Sequence, residues 1–429
     1  MCSCPCAYED AALISAQGLA ERDALSDYPA DSEAVAPRLS VARLTLTDFR
    51  CFRRQRLETD PRPVVLAGPN GAGKTNLLEA ISFLVPGRGL RRARLRDVAR
   101  CEAGAQRDGG DSATAARAWA VAARVFTPRG PVEIGTGCVD PAAPGGRSEK
   151  RAVRVNGQPA RSQTVLAEYL SIQWLTPRMD KLFAEGASPR RRFLDRLVYG
   201  LDPAHAGRVS AYEHALRERA RLLRPGGAGR NRDPAWLGAL EETMAAKGVA
   251  VAAARRDAVA RLEAVCAEGA GPFPGAGIRV SGTVESWLDE APALAAEERL
   301  RESLAASREA DGASGGTATG PHRSDLRVWH LARDRPAEQC SSGEQKALLI
   351  AVVLANARMQ MAERGRVPLL LLDEVAAHLD RRHREGLFEE IAAVGAQAWL
   401  TGTDAALFAP LRGTAQFFRV EDAQAVRVD

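Results

Sequence analysis

The chain contains no run of 18 or more nearly uncharged apolar residues, so no segment is expected to span a membrane. Its first 37 residues lack a basic stretch followed by an apolar one, which argues against a secretory leader. Cysteine is sparse: the eight, at positions 2, 4, 6, 51, 101, 138, 266 and 340, are too few and too irregular for a disulfide scaffold. A reducing, cytoplasmic setting is the expectation. Cys2, Cys4 and Cys6 lie close together, but no second cluster offers the other ligands of a tetrahedral site. The six histidines include no ligand-spaced group, and neither a zinc-finger nor a helix-turn-helix signature is present. Aromatic residues make up only 5%, yet 45% hydrophobic and 26% charged residues describe an ordinary folded protein and exclude wholesale disorder.

Charge is distributed unevenly. Residues 1–37 hold seven acidic residues and one arginine, so a net charge of +5 for the whole chain becomes +11 without them. That segment, rich in Ser, Asp, Ala and Pro, reads as a disordered extension, and the remainder suits contact with a polyanion.

Folded sequence is expected from Leu39. Leu39, Val41, Leu44, Leu46 and Phe49 predict a first strand, and Val64, Val65, Leu66 and Ala67 a short buried one. A helix follows from about Gly73. From 115 to 160 strand signals dominate and end in Asn156-Gly157, a favoured hairpin turn. Helices take over from 189 to 267, with breaks at 225–227 and near Pro234. A strand over 278–284, a helix over 290–309, a flexible Gly- and Thr-rich loop over 311–320, a helix over 341–361 and a strand at 398–400 complete the reading.

Three motifs carry chemistry. Gly68-Pro69-Asn70-Gly71-Ala72-Gly73-Lys74-Thr75 follows a strand and opens a helix, the setting of a phosphate-binding loop. Its glycines let backbone approach phosphate, Lys74 reaches the β and γ phosphates, and Thr75 offers a hydroxyl to Mg²⁺. The apolar run Leu369–Leu372 ends in Asp373-Glu374: Asp373 suits the Mg²⁺ water shell, and Glu374 the orientation or deprotonation of attacking water. Lys74 and Glu374 are thus the expected catalytic residues, and Thr75 and Asp373 the metal-site residues. Cys340-Ser341-Ser342-Gly343-Glu344-Gln345-Lys346, ahead of a helix, resembles the signature of ATP-binding-cassette ATPases, with Ser341 and Gly343 at its serine and second glycine. Asp380 occupies the position that follows the catalytic carboxylate in that superfamily.

Further segments narrow the resemblance: Asp48-Phe49-Arg50, Lys74 through Ala80, Ser188-Pro189-Arg190-Arg191-Arg192-Phe193-Leu194-Asp195, and Thr319-Gly320-Pro321-His322-Arg323-Ser324-Asp325-Leu326. Through most of 39–404 the chain resembles the RecF family, bacterial DNA replication and repair proteins of the SMC and Rad50-like branch. The resemblance implies a weak DNA-dependent ATPase that closes as an ATP-dependent homodimer, with nucleotide held between the phosphate loop of one copy and the signature of the other. It implies binding to gapped duplex DNA, partnership with RecR and indirectly RecO, and assistance to RecA loading. Arg50 becomes a nucleotide candidate, Gln173 a γ-phosphate sensor candidate, and Thr401 or Thr403 a terminal switch candidate. Cys51 stands where the family commonly has asparagine, and Ser342 where the first signature glycine is usual. A nuclease-associated ATPase of Rad50 type and a DNA clamp that binds ATP without turnover are the alternatives.

Arg88, Arg91, Arg92, Arg94, Arg96 and Arg100 fall within 13 positions beside a single acid, Asp97, and form the expected DNA surface. Arg190–Arg192 suit either DNA contact or, as the family motif implies, fixing Phe193 and Asp195 against the nucleotide domain. The expected architecture is α/β, a P-loop NTPase of ABC-ATPase type with an antiparallel β layer and an inserted helical lobe. Its expected parts are 1–37 as extension, 38–189 as the first part of the ATPase domain, 190–310 as the lobe, and 311–429 as the second part.

Overall fold

The computed structural model describes residues 38–100, 118–138, 151–224 and 234–429. The acidic segment 1–37 with Cys2, Cys4 and Cys6, and the break expected at 225–227, lie outside the described residues. Two compact units divide the chain: residues 177–365 form one, and the flanking stretches together form the other. The expected lobe, 190–310, is narrower than the unit found, which also takes in the signature segment.

The flanking unit begins with β1 (Ser40–Phe49), β2 (Phe52–Glu58) and β3 (Val64–Ala67), then α1 (Lys74–Ser82). There follow β4 (Trp119–Thr127), β5 (Gly130–Cys138), β6 (Arg151–Val155), β7 (Gln158–Pro159) and β8 (Ile172–Leu175). Asn156 (φ 50°) and Gly157 (φ 78°) join β6 to β7 with both central residues left-handed, the turn expected of Asn-Gly. Six strands in the order β2-β1-β4-β5-β6-β7 make an antiparallel sheet. Phe49, Phe83 and Trp119 meet edge-on or tilted at 5.1–6.0 Å between ring centres, filling the space between that sheet and α1.

The second unit is mainly helical: α2 (Ala187–Leu201), α3 (His205–Leu223) and α4 (Pro234–Glu268), then β9 (Ala276–Ser281), α5 (Thr283–Glu290), α6 (Ala293–Ala306) and α7 (Arg308–Ser314). It ends with β10 (Asp325–His330), β11 (Arg335–Pro336) and α8 (Ser342–Arg364). Leu237, Met244, Val249, Val259 and Leu262 of α4 are buried as their spacing predicts. Two expectations fail here. The strand expected over 278–284 ends at Ser281, and Val284 lies in α5, fully buried. The Ser324 hydroxyl donates to Glu285 (2.6 Å) and ties that helical turn down. The first four residues of the loop expected over 311–320 belong to α7, and the segment is anchored, because the buried Arg219 guanidinium donates to Asp311 (2.7 Å) and Thr317 (3.0 Å). Arg219 also donates to Glu241 (2.9 Å), so one charge is met by two buried carboxylates.

Arg190–Arg192 find their partners inside this unit. Arg190 makes a bidentate pair with Asp325 at 2.7 and 2.8 Å, Arg191 donates to the Ser324 carbonyl (2.7 Å), and Arg192 donates to Ser188. Asp195 accepts two hydrogen bonds from Arg255 and lies 2.8 Å from His205 Nε2. Despite burial, that arginine and histidine hold the Asp195 carboxyl far below the usual range.

The chain returns to the flanking unit with β12 (Leu369–Leu372), α9 (Arg381–Val394), β13 (Ala398–Gly402), β14 (Gln416–Glu421) and β15 (Gln424–Arg427). These strands take in β3 and β8 to form a second six-stranded sheet, ordered β15-β14-β3-β13-β12-β8, parallel except for β15. Both β8 and β12 are buried at all four positions, as strands covered on both faces must be. No helix of the described residues is long and apolar enough to cross a membrane.

His322 carries a testable charge balance. Its Nε2–H donates to the Thr317 carbonyl (2.9 Å), leaving Nδ1 to accept from the Tyr212 hydroxyl (2.6 Å), which requires a neutral ring. Burial holds its pKa down at about 4, against 6.5 for an ordinary histidine. The unfolded chain therefore binds a proton that the folded one refuses, and stability falls as pH drops through the window between those two values. Urea unfolding should show a loss of about 1–3 kcal/mol for the wild type across that window. His322→Gln should flatten the slope, whatever its stability at neutral pH; an undiminished slope would assign the titration elsewhere.

Candidate nucleotide-binding site

The site begins where β3 ends and the chain turns through 68–73 into α1. Gly68 is pressed against the C-terminal hairpin: a Cβ there would stand 2.0 Å from the Val420 carbonyl oxygen. Gly73 caps α1 with φ 110°, a conformation that favours glycine, and a Cβ there would meet Cys51 Sγ at 2.7 Å. Pro69, Asn70 and Gly71 form the exposed tip, while Ala72 and Lys74 are buried. The Lys74 ammonium donates to the carbonyls of Gly68 (2.7 Å) and Pro69 (2.8 Å), inside the curve of the loop. Burial lowers its pKa, and the negative charges of Glu374 and Asp373 oppose that shift. The first N–H groups of α1 face the same end and suit an anion.

Asp373 emerges from β12 with its N–H on the Leu175 carbonyl (2.9 Å). Its Oδ1 accepts from Thr75 Oγ1 and from Thr401 Oγ1, each at 2.9 Å. Thr401 Oγ1 also accepts from the Glu374 backbone N–H (2.9 Å), so one hydroxyl sets both carboxylate-bearing residues. Glu374 has φ 53°, unusual outside glycine and worth about 1–3 kcal/mol of local strain. Burial raises the Asp373 pKa, the two hydroxyls lower it, and the neighbouring Glu374 raises it further. A carboxylate held in so unfavourable a place suits a nearby cation. The donor set is one carboxylate and one hydroxyl, and among the described residues no group of three or more His, Cys, Asp or Glu could hold a metal ion. Magnesium fits such a set, since it commonly takes one or two protein oxygens and completes its octahedron with water and substrate phosphate.

Arg50, expected to face nucleotide, is held by Glu79 of α1 in a bidentate pair at 2.8 and 2.7 Å, and its Nη1 donates to the Asp97 carbonyl (2.6 Å). The same buried Glu79 lies 3.3 Å from Arg91, which also donates to Asn76 (2.7 Å). The Asn76 amide in turn donates to Cys51 Sγ (3.1 Å). Glu79 is thus the hub beneath the helix, a role its surroundings in sequence do not signal. The expected DNA cluster divides by partner: Arg91 is exposed but paired with Glu79, Arg100 pairs with Asp48 (3.0 Å), and Arg88, Arg92, Arg94 and Arg96 are exposed.

Thr401 enters the site and Thr403 is exposed beyond it. Gln173 is fully buried in β8, paired in register with Leu370. Asp380 caps α9, accepting from the His383 N–H (2.9 Å) and meeting its Nδ1 (2.8 Å). In the second unit, Ser341 caps α8 through a capping box with Glu344. Nothing lies within 4 Å of a Cβ built on Gly343, so its own unit does not require the small residue.

The model of the RecF/RecN/SMC N-terminal domain matches residues 40–421. Among curated proteins, the DNA replication and repair protein RecF of Mesorhizobium japonicum is 49% identical over 89% of this chain and 96% of its own length. Those of Allorhizobium ampelinum and Brucella suis biovar 1 are 46% and 47% identical, each over 90% of this chain, covering 99% and 96% of the relatives. A solved structure of the recombination mediator protein RecF with ATP, in the RecFOR pathway, shares the fold at a TM-score of 0.75. It is 20% identical over 93% of this chain and all of that one.

Thr401→Val keeps the shape but leaves the Glu374 N–H without its acceptor and Asp373 with one donor fewer. A destabilisation of about 1–3 kcal/mol in chemical denaturation is expected, with Thr401→Ser restoring most of it. Equal losses in Val and Ser would point to packing instead of the hydroxyl.

Proposed function

The chain belongs to the RecF/RecN/SMC N-terminal domain family, within its RecF branch, and on that footing we propose that it is an ATP-controlled DNA-binding recombination mediator of gap repair. ATP binding and ATPase activity go with that fold and family; the observation that supports them in this chain is the convergence of Lys74, Thr75 and Asp373. Lys74 lies over the terminal phosphates, and the N–H groups at the start of α1 receive their charge. Thr75 and Asp373 hold Mg²⁺, which when bound neutralises phosphate charge. Glu374, fixed through its backbone by Thr401, orients and deprotonates the attacking water.

Ser341 and Gly343 reach the nucleotide of a second copy, so ATP closes a homodimer and hydrolysis reopens it. Turnover is weak and depends on DNA. The DNA is a gapped duplex recognised through backbone and shape, RecR is the direct partner, and RecO and RecA act downstream of it. Arg50 serves as an anchor of α1 through Glu79, and Asp380 as the cap that orients the chain after the carboxylates. Exposed Arg88, Arg92, Arg94 and Arg96 contact phosphates, while Arg91 and Arg100 support the segment that carries them.

Sedimentation of the full chain with ATP, ADP or no nucleotide, on gapped and blunt DNA in parallel, tests the reading. Lys74→Ala should abolish ATP-dependent dimerisation and DNA loading, and unchanged nucleotide affinity would remove Lys74 from the site. Glu374→Gln should still bind ATP and hold the closed dimer longer; rapid phosphate release by that variant would dismiss Glu374 as the base.

The arginine surface has its own measurement. Arg88→Ala, Arg92→Ala and Arg94→Ala combined, with Arg91 left in place, should weaken gapped and fully duplex DNA alike at constant ATP affinity. Every arginine–phosphate pairing that the substitutions remove should lower the slope of log affinity against log salt by about 0.9 for duplex DNA. An unchanged slope would move the DNA surface elsewhere.

A further inference from the structure

The start of α8 is already occupied by an anion. Glu344 Oε2 accepts from the Ser341 backbone N–H (2.8 Å) and from its hydroxyl (2.9 Å), while Oε1 lies 2.8 Å from Arg333 Nη1. Arg333 sits on the turn between β10 and β11, more than half exposed, with its partner only 21% exposed. The N–H and hydroxyl of Ser341 and then Arg333 draw the Glu344 carboxyl below its usual range. The hydroxyl that the signature offers to a phosphate is therefore turned toward a carboxylate of its own helix.

We infer that Glu344 is a displaceable stand-in for phosphate, and that Arg333 is the positioning residue that retains this carboxylate when Ser341 turns to the nucleotide of the second copy. This rests on the proposed reading of Ser341 as a contact in the closed dimer. In the open chain, Ser341 is satisfied internally and the helix end carries little net attraction for anions. On closure the hydroxyl rotates from Glu344 to phosphate, and the carboxylate, left beside a second anion, depends on Arg333 for neutralisation. Gly343, whose own unit leaves space around it, gives the backbone room to receive that phosphate.

A capping residue and a phosphate stand-in respond oppositely to charge removal. Glu344→Gln keeps an oxygen for the Ser341 N–H but carries no charge, so half-maximal dimerisation with a slowly hydrolysed ATP analogue should need about two- to fivefold less protein. Arg333→Ala leaves the carboxylate facing phosphate unpaired and should require about two- to fivefold more. The double variant should return to the Glu344→Gln value, because without the carboxylate Arg333 has nothing to neutralise. Nucleotide binding to the monomer, measured with a fluorescent analogue, should be unchanged in all three.

Glu344→Gln closing no better than wild type, or Arg333→Ala acting equally with and without Glu344, would overturn the inference and leave a helix cap. Circular dichroism on the same samples checks folding, and the exposed Arg333→Ala remains informative if the Gln variant fails to fold. Ser341→Arg separates the two levels. Normal ATP-dependent dimerisation by Ser341→Arg overturns the signature contact itself, whereas a block there with a neutral Glu344→Gln overturns only the stand-in.

Discussion

One carboxylate oxygen joins the two ends of the chain. Asp373 Oδ1 takes hydroxyls from Thr75, 298 residues before it, and Thr401, 28 residues after it. Thr75 is the second residue of α1, beyond the loop that follows β3, Thr401 lies near the end of β13, and Asp373 directly follows β12, so the contact depends on those strands sharing one register. Thr401 pairs with Leu66, and Leu372 with Leu400. A slip of one residue would turn a hydroxyl to the wrong face of the sheet. Burial opposes the charge on Asp373, and the hydroxyls only partly offset it. The geometry that stores this unfavourable charge is therefore the geometry that makes the site receptive to a cation.

The contiguous parts of the site are legible in sequence because their chemistry is local. A glycine-rich turn between strand and helix needs no distant partner to be understood, nor does an apolar strand ending in two acids. Thr401 is one of two candidates by sequence, since nothing near it distinguishes it from Thr403; only the neighbouring strand does. Arg50 is a nucleotide candidate through the family resemblance alone, and its partner, Glu79, lies on another element with no local mark. The segment 311–320 misleads for the same reason: its composition is that of a loop, but the Arg219 guanidinium that anchors it comes from a helix 92 residues earlier. Helical periodicity identifies α2 and α8 without revealing which compact unit each joins.

Arginine shows how little a residue count says about use. Arg190, Arg219 and Arg255 are buried and held by carboxylates, so they add nothing to the field outside. Arg88, Arg92 and Arg94 are each exposed. The guanidinium fork serves both settings, pairing two oxygens at fixed angles in the interior and phosphate oxygens at the surface. The three buried arginines are matched inside by Asp325, Glu241, Asp311 and Asp195, so the positive surplus that suggests a polyanion comes from residues outside these buried pairs.

The strand order of the parallel sheet also dictates when it can exist during synthesis. β3 carries the phosphate loop, yet both its neighbours, β13 and β14, belong to the last stretch of the chain. While a ribosome is still making residues 177–365, β3 has emerged but has nothing to pair with, and its backbone donors and acceptors remain open to any passing edge. The intervening unit contains its own core and sheet and can fold meanwhile. Only after residues 416–421 leave the exit tunnel can Val420 close against Gly68. A chain broken off before that point would display the nucleotide motif intact in sequence, with no sheet to hold it open to a phosphate.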